Sequence, residues 1–160
     1  KGIWELLSAF NEHRSKYNST LLLVGKLENN IGVDQIVEEG ITYKGWVKEP
    51  TTEIIKAKIF IYPSKREGFG NAPLEAASVG VPSIITNIPG LNETVVNEVT
   101  GLVCKADCSD LFETMERLYL ENSLRHTFGQ NALAYVKKEF SQNLFFTAYK
   151  NLFLDILGDN

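Results

Sequence analysis

Apolar residues recur at Ile3, Leu6, Leu7, Phe10 and Tyr17, the spacing of one helix face, and predict an amphipathic helix over residues 3–17. The pattern then changes. Thr20 to Val24 (TLLLV) is a continuous apolar run ending at Gly25, which predicts a short strand buried on both faces. The polar stretch LENNIGVDQIVEEG is expected to hold a short helix before Gly40. Ile41 to Tyr43 and Ile59 to Tyr62 read as further strands, with a helix from Pro50 to about Lys56 between them. An EGFG turn leads into a helix from Ala72 to Val79. Strand Ser83 to Thr86, a turn at Pro89-Gly90, a helix near Leu91 to Val96 and strand Gly101 to Cys104 follow. Beyond Cys104 only helices are predicted: Leu111, Met115 and Leu118 share one face, Leu124, Phe128 and Val136 stripe the next, and a last helix begins after Ser141. Short apolar strands alternating with helices predict an α/β fold. It is a doubly wound, Rossmann-like parallel sheet with helices on both faces and a helical C-terminal tail.

Composition narrows the picture. The 160 residues, 44% of them hydrophobic, suit a single domain over 1–160 with a real core. A net charge of -4 without a basic block argues against nucleic acid or anionic membranes as partners. No apolar run approaches ~18 residues, so no bilayer-spanning helix is expected. Cys104 and Cys108 have no further Cys or nearby His to complete a metal site, and read as inert thiols in a reducing cytoplasm. His13 and His126 fall in helices without evident partners and read as exposed or satisfied. The chain opens on Lys1-Gly2 without a methionine, as a piece cut from inside a longer protein would.

The segment with the most chemistry is EGFGNAPLE, where Glu67 and Glu75 flank two glycines, an aromatic and a proline. Gly68 and Gly70 let backbone approach a ligand closely. Asn71 is expected to cap a helix that starts at Ala72, with Pro73 and Glu75 in its first turn. Such a turn directs N–H groups and the positive end of a helix dipole at an anion, a phosphate being the natural guest. It also follows strand IFIY, and parallel sheets bind ligands at the carboxyl ends of their strands.

The longer stretch PSKREGFGNAPLEAASVGVPSIITNIPGLNETV resembles the donor-binding signature of the retaining glycosyltransferases of family 4, two glutamates separated by seven residues. KGIWELLSAF resembles the helix after that family's phosphate-binding loop, LLLVG its next strand and YKGWV the loop near the nucleotide base. The resemblance implies the second, sugar-nucleotide-binding domain of the two-domain glycosyltransferase-B fold, without the N-terminal acceptor domain. Its implied reaction moves a hexosyl or N-acetylhexosaminyl group, with retention, from a UDP-sugar to a glycan or lipid-linked acceptor in bacterial surface-polysaccharide assembly. It implies roles as well: Lys1 and the amides of Asn71 and Ala72 for the diphosphate, Glu75 for the ribose diol, and Glu67 for the donor sugar. Glu67 would be the group nearest the chemistry, the amides of Phe69 and Gly70 would help hold the sugar, and Trp46 and Val47 would meet the base. No Asp-x-Asp pair occurs, in keeping with a donor site that needs no metal and no cofactor. A cytoplasmic protein, peripheral at the membrane's inner face when complete, is the implied setting.

Plainer readings stand beside these. Glu75 alone could do no more than favour a helix dipole, worth ~0.3–1 kcal/mol. Its pairing with Glu67, the glycines and the strand end outweighs that reading. Lys1 is equally a chain terminus, Trp46 equally a packing residue, and Glu93 a helix cap or structural acceptor. An epimerase or a phosphorylase would share the two-domain build, although nothing around Lys65 or Lys105 resembles a pyridoxal attachment. A non-catalytic sugar-nucleotide-binding domain is the third class. The last helix carries Leu144, Phe145, Phe146, Tyr149, Leu152, Phe153, Ile156 and Leu157 almost all round. That predicts exposed apolar surface, with self-association or a loosely held tail where a partner domain is absent.

Overall fold

The computed structural model describes residues 2–28 and 31–158 and, within the last helix, the side chains of 146, 147 and 149–154. Helix α1 spans Ile3–Tyr17 and buries Leu6, Leu7, Ala9, Phe10 and His13, the face its spacing predicted. Strands β1 (Leu21–Leu23) and β2 (Ile41–Tyr43) pair in parallel, with a single 3-10 turn over Val33–Gln35 between them. Helix α2 is shorter than expected, Thr51–Ile54, with Pro50 at its N-cap. Strands β3 (Phe60–Tyr62), β4 (Ser83–Thr86) and β5 (Gly101–Cys104) form a second parallel ladder in the order β3-β4-β5. Helix α3 (Asn71–Ser78) connects β3 to β4. Helices α4 (Cys108–Leu120), α5 (Asn122–Glu139) and α6 (Gln142–Leu157) complete the chain.

Alternation along the strands divides the interior into two layers. Ile61, Ile84, Leu102 and Cys104 face the cluster built by α1 and α4, with Phe10, Leu111, Phe112, Met115 and Leu118. Phe60 packs instead with Ile54, Ala76 and Val81, and Tyr62, Ile85 and Val103 with Leu91 and Val95. Asp107 caps α4 by accepting from the Asp110 amide at 2.9 Å. Helix α5 meets the turn after α3 through bare backbone: a Cβ on Gly129 would collide with the Gly80 carbonyl oxygen.

Three further expectations change here. Strand β1 is not buried on both faces: Leu21 and Leu23 join the α1 side of the core, whereas Leu22 and Val24 are exposed. No helix forms near Leu91 to Val96. That segment is a run of turns, with Leu91 N–H donating to Ile88 O at 3.2 Å and Thr94 N–H to Leu91 O at 2.8 Å. Burying Leu91 and Val95 against Ile85 holds it there. His13, finally, is neither exposed nor fully satisfied. It is 2% exposed, its Nδ1 lies 2.8 Å from Ser19 Oγ, and its Nε2 has no partner among the described residues.

Tyr17, Phe112 and Tyr119 surround the His13 ring, and burial pulls its pKa below the usual value, against the charge of Glu116 and with that of Lys16. The unfolded chain protonates this histidine near pH ~6.5 while the fold prefers it neutral. Its contribution to stability is therefore complete above about pH 6.5 and is lost as pH falls below it. Melting temperature should drop between about pH 7.5 and about pH 5.5, with a flatter profile in His13→Gln. Parallel profiles for the two proteins would assign the drop to other groups.

Helix α6 presents Phe146, Tyr149, Leu152, Phe153 and Leu154 to solvent, 38% to 66% exposed, as its all-round apolar pattern predicted. The side chains of Leu144, Phe145, Ile156 and Leu157 lie outside the described residues. Among the described residues no helix is long and apolar enough to cross a membrane.

Candidate functional site

The loop between β3 and α3 is held from below and from the side. Thr86 Oγ1, at the end of β4, donates to Ser64 O, and Ser64 Oγ donates to Arg66 O at 2.9 Å. Gly70 N–H donates to Gly90 O at 3.0 Å, joining the loop to the β4 exit turn. Gly90 has φ 85, a conformation that glycine adopts at no steric cost. Gly70 is glycine for a different reason, since a Cβ there would collide with the Leu91 side chain.

This packing starts the helix one residue earlier than expected. Gly70 is the N-cap and Asn71 the first helical residue, with no side-chain cap, so Asn71 is not the cap. Glu75 accordingly falls in the second turn. It is half-buried, and burial raises its pKa above the usual carboxylate value.

Four amides were expected to line the cradle. Two of them donate inside the protein, Gly70 to Gly90 O at 3.0 Å and Asn71 to Phe69 O at 3.1 Å. Those of Phe69 and Ala72 have no acceptor among the described residues. The Phe69 ring turns away to lie 6.1 Å from that of Phe140, at the end of α5. Glu67 is fixed by a residue the sequence reading passed over. The Tyr62 hydroxyl donates to Glu67 Oε2 at 2.6 Å, and Gly68 N–H reaches Oε1 at 3.2 Å. Burial first, then that hydrogen bond and the charges of Glu67 and Glu75, hold the Tyr62 phenol above its usual pKa. The Tyr62 phenol at the carboxyl end of β3 is therefore bonded to Glu67 directly, and Glu75 acts on it through its charge alone. The available signal was a tyrosine closing an otherwise apolar strand, because a part-buried phenol needs a partner.

The remaining predicted positions divide. Trp46 is 66% exposed, which removes the packing alternative for it, and Val47 is half-buried. Both precede α2, whose Ile54 packs on Ala76 of α3. Lys1 lies outside the described residues; Gly2 beside it abuts Pro63 at the end of β3. Lys65 pairs with Glu5. Glu93 caps no helix, and its carbonyl accepts from Tyr135 OH at 2.8 Å. Cys104 and Cys108 are free thiols, and burial pushes the Cys104 thiol up to about 12. Among the described residues no group of three or more His, Cys, Asp or Glu could hold a metal ion.

Residues 1–121 match the family described as "Glycosyl transferases group 1". The capsular polysaccharide biosynthesis glycosyltransferase CapM of Staphylococcus aureus is 33% identical over 168 residues, covering 100% of this chain and 44% of the relative. Among solved structures, a glycosyltransferase from Rickettsia africae superposes with a TM-score of 0.89 at 21% identity, over 100% of this chain and 45% of that one. Anabaena HepE in complex with UDP-glucose superposes with a TM-score of 0.78 at 17% identity, over 98% of this chain and 44% of that one. The chain thus spans less than half the length of the curated relative it matches.

Proposed function

The chain belongs to the group 1 glycosyl transferases, its fold is one half of a glycosyltransferase-B architecture, and we propose that it holds the sugar-nucleotide donor of a retaining enzyme. The family match sets the epimerase alternative aside. The observation that carries the reading is the hydrogen bond from Tyr62 that holds Glu67 at the carboxyl end of β3, in the loop that leads into the helix bearing Glu75. A pair of carboxylates repels phosphate, so the roles separate along the site. The diphosphate belongs at the start of α3, where the Ala72 amide and the helix dipole point outward, with Lys1 as counter-charge. Glu75 takes the vicinal hydroxyls of ribose, since an ionised carboxylate accepts two hydrogen bonds. Glu67 takes hydroxyls of the donor sugar with the Phe69 amide, and exposed Trp46, with Val47, takes the base.

In this reading the donor is a UDP-sugar, the class of ligand that Anabaena HepE holds, and the acceptor a hydroxyl of a glycan or lipid-linked carrier, in keeping with a relative named for capsular polysaccharide biosynthesis. A second domain of the same protein would supply the acceptor side, and neither metal nor cofactor enters the scheme. Two free thiols suit a cytoplasmic setting. Glu75→Ala should weaken UDP binding about 10-fold or more, the worth of hydrogen bonds to a charged group. Because burial raises the Glu75 pKa, wild-type affinity should also fall on acidification at a higher pH than an ordinary carboxylate would produce. Calorimetric titration with UDP measures both effects. Equal affinity in wild type and variant would refute the ribose assignment.

A further inference from the structure

We propose that Tyr62 is a positioning residue for the donor sugar, one that aims the Glu67 carboxylate and itself touches no part of the nucleotide. The proposal rests on the donor-site reading above and adds to it the device that sets the sugar-binding group. Tyr62 ends β3, and its ring is fixed on both sides. It stacks on Phe60, with centroids 6.2 Å apart and planes 14° from parallel, and it packs with the buried cluster of Ile85, Leu91 and Val95. The hydroxyl therefore has a set position, and from it donates to Glu67 Oε2 at 2.6 Å.

A glutamate side chain has three rotatable bonds, and on a loop it would sample several rotamers. Among the described residues two donors restrict this one, the phenol on Oε2 and the Gly68 amide on Oε1 at 3.2 Å. The phenol is the stronger constraint, because hydrogen bonds to charged oxygen at this distance are short and strong. It is also a reliable donor, since burial and the two nearby carboxylates keep it protonated. Fixing a polar group before the ligand arrives removes the ordering cost from binding. The expected benefit falls on the sugar alone, because Glu67 is assigned to sugar hydroxyls and the nucleotide is held by other groups.

The test is a double-mutant cycle on this chain with Tyr62→Phe and Glu67→Ala, the latter chosen because a glutamine would still accept from the phenol. Both UDP and a UDP-sugar are titrated, the sugar nucleotide being whichever of UDP-glucose, UDP-galactose and UDP-N-acetylglucosamine binds tightest. Tyr62→Phe should weaken UDP-sugar binding roughly 10-fold, leave UDP unchanged and keep the melting temperature, since one oxygen is removed from a retained ring. In the Glu67→Ala background the same substitution should add nothing. Equal loss for UDP and UDP-sugar would mark Tyr62 as merely structural and overturn the proposal. So would an effect that persists in Glu67→Ala, or no effect where Glu67→Ala alone weakens UDP-sugar binding. If Glu67→Ala leaves UDP-sugar affinity intact, or no UDP-sugar binds, the donor-site reading itself falls and takes the role of Tyr62 with it.

Discussion

Gly90→Ala is expected to lower stability by about 2–4 kcal/mol and to abolish UDP binding at the same time. Two costs add at this position. The backbone has φ 85, which an alanine adopts only with strain. The new Cβ would also sit 2.5 Å from Gly68 O and 2.7 Å from Glu67 O. Those are backbone atoms that cannot rotate aside, so the loop would have to move. It is the loop that carries Glu67, and it would also lose its Gly70-to-Gly90 hydrogen bond. For a chain of this size the melting temperature should fall by roughly 5–15 °C. Gly68→Ala is the control for stability alone, because nothing lies within 4 Å of a Cβ there. A Gly90→Ala protein that melts with the wild type and binds UDP equally would show that the turn does not template the site.

Phe10→Ala should be costlier still for the fold, about 3–5 kcal/mol. Phe10 is 2% exposed and belongs to the cluster that joins α1 to the α4 side chains Leu111, Phe112, Met115 and Leu118. Truncation removes apolar transfer energy and leaves a cavity that helices cannot collapse into without losing neighbouring contacts. Urea denaturation followed by circular dichroism reads the loss. Trp4→Ala on the same helix provides the comparison. Trp4 is 51% exposed, and its removal should change stability by no more than ~0.5 kcal/mol. Comparable losses for the two variants would mean that α1 is not anchored through its buried face.

Where one face of the sequence decides an element, the sequence was enough. Strands β4 and β5 and helix α1 fall where their apolar runs and spacing placed them. Failures came where a distant group decides. TLLLV reads as a two-faced buried strand, yet nothing local reveals that Leu22 stays uncovered. Leu91 to Val96 reads as a helix, yet the structure forms turns there that bury Leu91 and Val95 with Ile85. Asn71 has the chemistry of an N-cap, yet the cap is Gly70, whose amide is tied to the distant Gly90 carbonyl. The candidate site divides likewise. Glu67 and Glu75 announce themselves by their interval. Tyr62 and Gly90 do not, since their contacts to the loop depend on how β3 and the β4 exit turn pack. Nor does spacing show that the Gly70 and Asn71 amides are already taken.

The contact between α1 and α4 has a consequence for the order of assembly. Tyr17 OH donates to Glu116 Oε1 at 2.7 Å and Tyr119 OH to Tyr17 O at 3.2 Å, so the first helix finishes packing only on a late one. In translation Leu6, Leu7 and Phe10 precede Leu111 to Leu118, and until those are made the cluster they share with the strands lacks its α4 side. Contacts of such long sequence separation form slowly, and apolar surface waiting for them invites aggregation. Within this domain the α1 face is therefore incompletely covered while β1 to β5 are being made, and synthesis of α4 is the step that ends that interval.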